Sequence, residues 1–199
     1  GAPLTDTLNH GNVNGKNWIP AECDVSIRPG WFYHKEEDEK VKTPEQLFEL
    51  YLKSVGRGAN LLLNVPPDRE GLINAHDSAA LVGFKKLRDE SFSTPIAEKQ
   101  FMQASSNYTI ELHPSQKINC IVLKEDIATG QKIKSFTVQL MSGNKIVNKL
   151  HGNTIGKKCI LTFPVTEADS FIIKIDEAKV TPLLNEANAY LINEELIEK

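Results

Sequence analysis

Residues 61–65 read LLLNV, an apolar run without the polar alternation of a half-buried strand. Turn-forming residues bound the run: Gly56 and Gly58 precede it, and Pro66-Pro67 follow it. A short, continuous apolar run between turn signals predicts a strand that is buried on both faces, as in a parallel sheet. Such a strand needs neighbouring strands and helices on both faces, so the segment predicts a layered α/β structure around it.

The segments around this run alternate between strand and helix patterns. Residues 19–27 alternate apolar and polar side chains with a period of two, which predicts a strand. Thr43, Pro44 and Gln46 have the spacing of an N-cap, a first helical position and a capping box, so a helix is expected from residue 44. A second helix is expected from about Ala75 to Arg88. The order strand, helix, strand, helix is typical of βα units. The inward positions expected on the two helices are Leu47, Phe48, Tyr51, Leu52 and Val55, and Ala80, Leu81, Phe84 and Leu87.

Two βα units do not close a parallel sheet. The outer edges of their strands need further strands, and their faces need further helices. We therefore expect residues 1–92 to be part of a larger fold, completed by upstream chain or by another polypeptide.

The pattern changes after Phe92. Short alternating segments then follow one another, separated by turn signals such as Thr129-Gly130, which predicts an all-β antiparallel sandwich. We place the domain boundary so that residues 1–92 form the first domain and residues 93–199 the sandwich, and we expect residues 194–199 to be a frayed end. The predicted strands are residues 108–112, 118–123, 133–140, 146–150, 158–163 and 170–175.

Composition excludes several classes of function. The formal charge of −3 gives no basic field for nucleic acid or an anionic membrane. No apolar run approaches the ~20 residues that a membrane-spanning helix needs. The three cysteines (Cys23, Cys120 and Cys159) are odd in number and lack metal-type spacing, so we expect buried free thiols. No cofactor motif or metal cluster is visible, and none is expected.

Three parts of the sequence resemble α-L-fucosidases of glycoside hydrolase family 29, particularly the subgroup that acts on α-1,3/1,4-linked fucose. The first is residues 18–34, WIPAECDVSIRPGWFYH, and the second is residues 51–71, YLKSVGRGANLLLNVPPDREG. The third, LKEDI at 123–127 with GQKI at 130–133 and TIGK at 154–157, resembles the discoidin-type sandwich that follows the catalytic domain in many of these enzymes.

The resemblance implies that residues 1–92 are the C-terminal portion of a (β/α)₈-like barrel, whose site lies at the C-terminal ends of its strands. It also implies retaining hydrolysis, in which an Asp attacks the anomeric carbon and a Glu acts as acid and then base. In family members both residues lie upstream of the segment matched by residues 18–22. We therefore expect the chain alone to be catalytically incomplete, with Glu22 as the fallback proton donor. The implied partners are a fucosylated oligosaccharide and the missing N-terminal half of the barrel, in the same or another chain.

Within the chain, the resemblance points to substrate contacts around the end of the first strand. The indole of Trp31 suits the apolar C6 methyl of fucose, although it also suits packing on the barrel rim. Glu22 and Asp24 lie two apart and share a strand face, from which they reach sugar hydroxyls or form a salt-bridged surface. Arg28 binds a carboxylate or a hydroxyl in the site, or it forms a structural ion pair with Asp24 or Glu22. His34 binds substrate, or it forms hydrogen bonds only within its loop. Asn64 and Asp68 line the site or cap the turn.

A second class of function is a non-catalytic carbohydrate-binding or structural module formed by the sandwich. Its predicted loops at residues 142–144 and 151–153 are polar and lack the Trp or Tyr on which sugars stack. A structural role is therefore favoured over sugar binding for this part of the chain. A periplasmic or secreted location is expected for the protein.

Overall fold

The computed structural model of the chain describes Gly15 and residues 19–197 and contains two separate sheets. The first has two parallel strands, β1 (Glu22–Ser26) and β2 (Asn60–Asn64), and the second has six antiparallel strands. Mostly antiparallel β structure of this kind is consistent with a β-sandwich. The described residues do not form a closed barrel, since only two parallel strands occur among them.

The N-terminal part is a β-helix-β unit followed by a helix. A 3₁₀ helix (Lys35–Lys40), helix α1 (Pro44–Lys53) and a 3₁₀ turn (Val55–Arg57) connect β1 to β2, and helix α2 (Ala75–Phe92) follows β2. The predicted capping box of α1 is confirmed: Gln46 N donates to Thr43 Oγ1 at 3.3 Å, and Thr43 N donates to Gln46 Oε1 at 3.0 Å. Helix α2 runs further than its sequence pattern indicated, to Phe92.

The prediction that residues 61–65 are buried on both faces is wrong for the described structure. Leu63 packs against Ile27, Leu47 and Ala80, so α1 and α2 cover one face of β2. Leu62 points to the other face and is 47% exposed. That face has no covering layer among the described residues, and a sequence pattern does not reveal which layers are present.

The six-stranded sheet has the strand order β3-β8-β4-β7-β5-β6. Two pairs of predicted strands are in fact single long strands, since 108–112 and 118–123 lie in β4, and 158–163 and 170–175 lie in β7. Register shifts between Glu111 and Gln116 and between Ile118 and Cys120 interrupt the pairing of these long strands. The strands are β3 (Ala97–Gln100), β4 (Asn107–Glu125), β5 (Ile133–Ser142), β6 (Lys145–Gly152), β7 (Cys159–Ala178) and β8 (Leu184–Tyr190).

The six-stranded sheet encloses the largest apolar cluster among the described residues. Side chains from both halves of β4, such as Ile110 and Leu123, meet Phe136 of β5, Phe171 of β7 and Ala187 of β8 in it. Because a strand places alternate side chains on opposite faces, this inner face explains the alternation seen in the sequence.

A buried carboxylate fixes the connections at one end of this sheet. Glu125 is 2% exposed, and its Oε1 accepts hydrogen bonds from the backbone N–H groups of Lys132 (2.7 Å) and Ile133 (3.0 Å). Its Oε2 accepts a third from Gly156 N at 3.2 Å. Burial raises the pKa of Glu125, and these three donors oppose the rise.

A second apolar cluster joins the helices to the outer face of the six-stranded sheet. Phe48 of α1 and Phe92 of α2 stack with ring centroids 6.0 Å apart, and Phe92 meets Tyr190 of β8 edge-on at 5.3 Å. Cys120 and Val122 of β4 belong to the same cluster. The two parts of the chain therefore share buried apolar surface.

The expected frayed end is wrong for residues 194–197. Glu194–Leu196 form a 3₁₀ helix, capped by Asn193, whose side chain accepts from Glu195 N at 3.1 Å. Leu196 and Ile197 pack against the cluster that contains Tyr190, which supplies the apolar contacts that hold this end in place.

Candidate functional site

The uncovered face of the two-stranded sheet carries the polar side chains that the sequence singled out. Partners in a parallel register point to the same face, and Glu22 is paired with Asn60, Asp24 with Leu62 and Ser26 with Asn64. The side chains of Glu22 and Asp24 are exposed on this face. Asn60 Nδ2 donates to Glu22 Oε2 at 2.8 Å, which orients one carboxylate beside the other.

Trp31 lies in the loop that follows the C-terminal end of β1, and it is 51% exposed. Asn64 at the end of β2 donates from Nδ2 to the Trp31 carbonyl oxygen at 2.9 Å. Ser26 at the end of β1 donates from its hydroxyl to the Gly30 carbonyl oxygen at 2.6 Å. The ends of both parallel strands therefore hold the backbone on which the indole is mounted.

Arg28 lies beneath this loop, with a completely buried side chain. Its Nε is 3.0 Å from Asp77 Oδ1, and its Nη2 is 2.5 Å from Asp77 Oδ2 and 2.9 Å from Asp38 Oδ1. The alternative that paired Arg28 with Asp24 or Glu22 is therefore wrong about the partners. The hydrogen bonds to Asp77 and Asp38 raise the pKa of Arg28, so the guanidinium stays charged despite its burial.

The structure places the last candidate, His34, at the surface. Its carbonyl oxygen accepts from Arg28 Nη1 at 3.2 Å, and its side chain is exposed. Glu22, Asp24 and Trp31 thus lie on or beside one open face of the sheet. His34 lies further along the loop that carries Trp31, and the buried Arg28 contacts this loop from the protein interior.

Asn64 and Asp68 have different roles. Asp68 caps its turn, as predicted, because Oδ1 accepts from the backbone N–H groups of Glu70 (2.9 Å) and Leu72 (3.0 Å). Asn64 instead links the two strand ends through Trp31 and Ser26, a role that sequence reasoning missed.

Asp77 was missed altogether, although the sequence contained a signal for it. It lies three residues before Ala80 and seven before Phe84, which places it on the apolar face expected for α2. A carboxylate on such a face is rarely buried without a cationic partner. Asp77 is completely buried, and Arg28 is that partner.

Two surface cavities occur among the described residues, and the second borders Asp38, a partner of Arg28. One, of about 310 Å³, is lined by Tyr51, Phe92 and Lys158 among others, and the second, of about 290 Å³, includes Asp38 and His76. The predicted site residues line neither cavity. Among the described residues, no group of three or more His, Cys, Asp or Glu side chains is placed to hold a metal ion. No helix within the described part of the chain is both long and apolar enough to cross a membrane.

Comparison with known proteins gives this geometry a family context. Residues 4–86 match the family model for alpha-L-fucosidase. The chain is 32% identical to alpha-L-fucosidase 1 of Arabidopsis thaliana over 91% of its own length and 42% of the plant protein. It therefore spans well under half of that curated relative.

Solved structures agree with the sequence match. A glycoside hydrolase 29 family member from an unknown rumen bacterium has a TM-score of 0.85 and 32% identity, covering 98% of this chain and 37% of that one. A Ruminococcus gnavus GH29 fucosidase in complex with fucose has a TM-score of 0.79 at 23% identity, covers 94% of this chain and 44% of its own, and supports the fold alone. The chain is thus similar to a part of several glycoside hydrolases of the alpha-L-fucosidase family, and residues 4–86 carry the match to the family model.

Proposed function

We propose that the chain is the C-terminal portion of a retaining α-L-fucosidase that removes terminal α-1,3/1,4-linked fucose from oligosaccharides. In this proposal residues 1–92 end the catalytic barrel, residues 93–199 form a discoidin-type sandwich, and the protein is periplasmic or secreted. One observation carries it: an uncovered parallel-sheet face bears Glu22 and Asp24 and has Trp31 at the C-terminal end of its strand. Barrel enzymes gather their sites at this end of their strands.

The chemistry of these groups fits a deoxy sugar. An indole face packs against a methyl group and ring C–H bonds, while carboxylates accept hydrogen bonds from hydroxyl groups. Trp31 supplies the first kind of surface and Glu22 and Asp24 the second, and all three are exposed.

The edges of the sheet support a contribution from further polypeptide. Within the described residues, β1 and β2 pair only with each other, so each strand has an outer edge without a partner. Leu62 is also uncovered between the polar groups of the face. Both features fit a sheet that continues into barrel strands outside residues 19–92.

The nucleophile and the acid/base residue are assigned to that further polypeptide, with Glu22 as the second candidate for the acid. The two assignments predict different kinetics for Glu22→Gln in the complete protein. If Glu22 is the proton donor, hydrolysis of fucosides with poor leaving groups falls by about 10²-fold or more, while activated aryl fucosides are affected much less. If Glu22 only binds a hydroxyl, the two substrates lose activity equally. Asp24→Asn, two residues along the same face, is the matched control.

The decisive experiment compares the 199-residue chain with the complete protein that contains it. We expect little or no hydrolysis of an aryl α-L-fucoside by the chain alone, and clear hydrolysis by the complete protein. In the complete protein Trp31→Ala lowers kcat/KM by about ten-fold, as for loss of one aromatic contact. Absence of α-L-fucoside hydrolysis by the complete protein would overturn the function. An unchanged kcat/KM in Trp31→Ala would remove the indole from the site.

A further inference from the structure

Asp77 and Arg28 form an ion pair in which both side chains are completely shielded from solvent. Taking two charges out of water is costly, and well-packed apolar residues of the same volume often stabilise a fold at least as well. Stability alone therefore explains this pair poorly, and its contacts show what else it does.

Among the described residues, the other hydrogen bonds and the ring contact of the guanidinium are with the segment that follows Trp31. Nη1 donates to the carbonyl oxygen of His34 at 3.2 Å, Nη2 donates to Asp38 at 2.9 Å, and Cζ lies 4.7 Å from the centre of the Tyr33 ring. Tyr33 in turn lies 3.4 Å from Asp38 through its hydroxyl group.

The loop is therefore held at both ends by one side chain. Its start, at residue 28, is the arginine itself, and its end, at residues 33–38, binds the guanidinium. Asp77 anchors the guanidinium to α2, which packs with α1 against one face of the two-stranded sheet. The exposed Trp31 lies between these two fixed points.

We infer that Asp77 is a positioning residue, which acts through Arg28 to hold residues 29–34 so that the Trp31 indole stands at the C-terminal end of β1. The guanidinium has no exposed surface with which to touch a sugar. That this positioning serves sugar binding rests on the proposed function. The link from Asp77 through Arg28 to the Trp31 loop does not depend on that function.

The link is tested first without any activity measurement. The chain contains two tryptophans, so Trp18→Phe labelled with 5-fluorotryptophan gives a ¹⁹F signal from Trp31 alone. In this background Asp77→Asn shifts and broadens the Trp31 resonance, because the indole samples several loop conformations. The control, Asp89→Asn, makes the same chemical change on α2 beside Lys85 and Arg88 and leaves the resonance in place. A folded Asp77→Asn protein with an unchanged Trp31 resonance would overturn the inference.

Arg28→Lys provides a second variant should Asp77→Asn not fold. It keeps a positive charge beside Asp77, but an ammonium group lacks the planar fork that reaches Asp77, Asp38 and the His34 carbonyl together. We expect the same change in the Trp31 resonance. An unperturbed resonance in this variant counts equally against the link.

The complete protein then relates the link to catalysis. Asp77→Asn raises KM for an aryl fucoside about ten-fold while kcat changes by less than about two-fold, the pattern for loss of binding that ground state and transition state share. In a Trp31→Ala background it causes no further change in KM. A full additional loss in that background would overturn the inference, because Asp77 would then act independently of the indole. If the complete protein hydrolyses no fucoside, the proposed function fails and the ¹⁹F experiment still decides the link.

Discussion

The amide nitrogen of Asn64 lies 2.9 Å from the carbonyl oxygen of Trp31, which joins the end of β2 to the loop after β1. The same nitrogen lies 3.1 Å from Ser26 Oγ, whose hydroxyl donates to the Gly30 carbonyl. The side-chain amide of Asn64 thus contacts the Trp31 carbonyl directly and the Gly30 carbonyl through the Ser26 hydroxyl, at the C-terminal ends of two neighbouring strands. Asn64 therefore helps to fix the backbone on which the Trp31 indole is mounted.

Replacement of Asn64 by Asp is expected to move Trp31. The change keeps the shape of the side chain but removes both N–H donors, and it places a negative charge against a carbonyl oxygen. In the complete protein we expect kcat/KM for an aryl fucoside to fall by about five- to ten-fold, mainly through KM. Asn144→Asp, at an exposed turn between β5 and β6, is the matched control. Equal kinetics for the two variants would contradict the role given to Asn64.

Glu125 is expected to make the stability of the chain depend on pH. Burial raises its pKa in the folded state, so as pH rises from about 4 the unfolded chain loses this proton before the folded one does. The contribution of this group to stability is therefore complete below the unfolded pKa and is lost as pH rises through the folded pKa. The free energy of unfolding of wild type and of Glu125→Gln is measured by urea titration between about pH 3.5 and pH 8, a range that begins below the ordinary Glu pKa of about 4.3. We expect the difference, wild type minus variant, to decrease as pH rises. A difference that increased with pH would show that the three backbone donors outweigh burial.

The cysteines are expected to react with thiol reagents in two classes. Burial raises the pKa of Cys159 to about 12 and raises that of Cys120 further, so neither thiol ionises near neutral pH. Cys23 on β1 is only partly buried. With a maleimide or a disulfide reagent we expect one fast label at Cys23, and labels at Cys120 and Cys159 only after denaturation. Peptide mapping by mass spectrometry identifies the site, and early labelling of Cys120 would contradict its burial.

Gly83→Ala is expected to destabilise the chain although alanine favours helices. A Cβ at this position in α2 would lie 2.5 Å from Cγ of Pro44, the first residue of α1. Alanine in a helix interior is worth about 1 kcal/mol over glycine, but a clash with a rigid proline ring costs about 1–3 kcal/mol. We expect a net loss in the free energy of unfolding. Ser78→Ala on the exposed side of α2 gains propensity without the clash, so a gain in both variants would contradict this packing.

How well the sequence predicts this molecule depends on how local each interaction is. The cap of α1 involves residues 43–46 only, and its residue types were sufficient to place it. Strand β8 was missed because LNEANAY contains few β-branched or large apolar residues, and its partner β4 lies far away in the chain. Strand β3 was missed for the same reason, since its four residues pair only with β8.

In the candidate site, too, the local features could be predicted from the sequence and the long-range ones could not. The common face of Glu22 and Asp24 follows from a period of two within one strand, and the structure has that geometry. The partners of Arg28 do not follow from local spacing, because Asp77 lies 49 residues along the chain. The exposure of Leu62 depends on which layers cover the sheet, and a strand's own sequence does not contain that information.

The aromatic stack of Phe48, Phe92 and Tyr190 has a practical consequence for anyone who shortens this chain. A protease cut or a truncation in the linker between α2 and β3 would divide the chain into two fragments. Phe48 and Phe92 would belong to the first fragment and Tyr190 to the second. Separation of the two fragments would expose Val122 and Tyr190 to solvent on one fragment and Phe48 on the other. Each fragment would then have an exposed apolar surface patch, so we expect either fragment to aggregate when it is prepared alone.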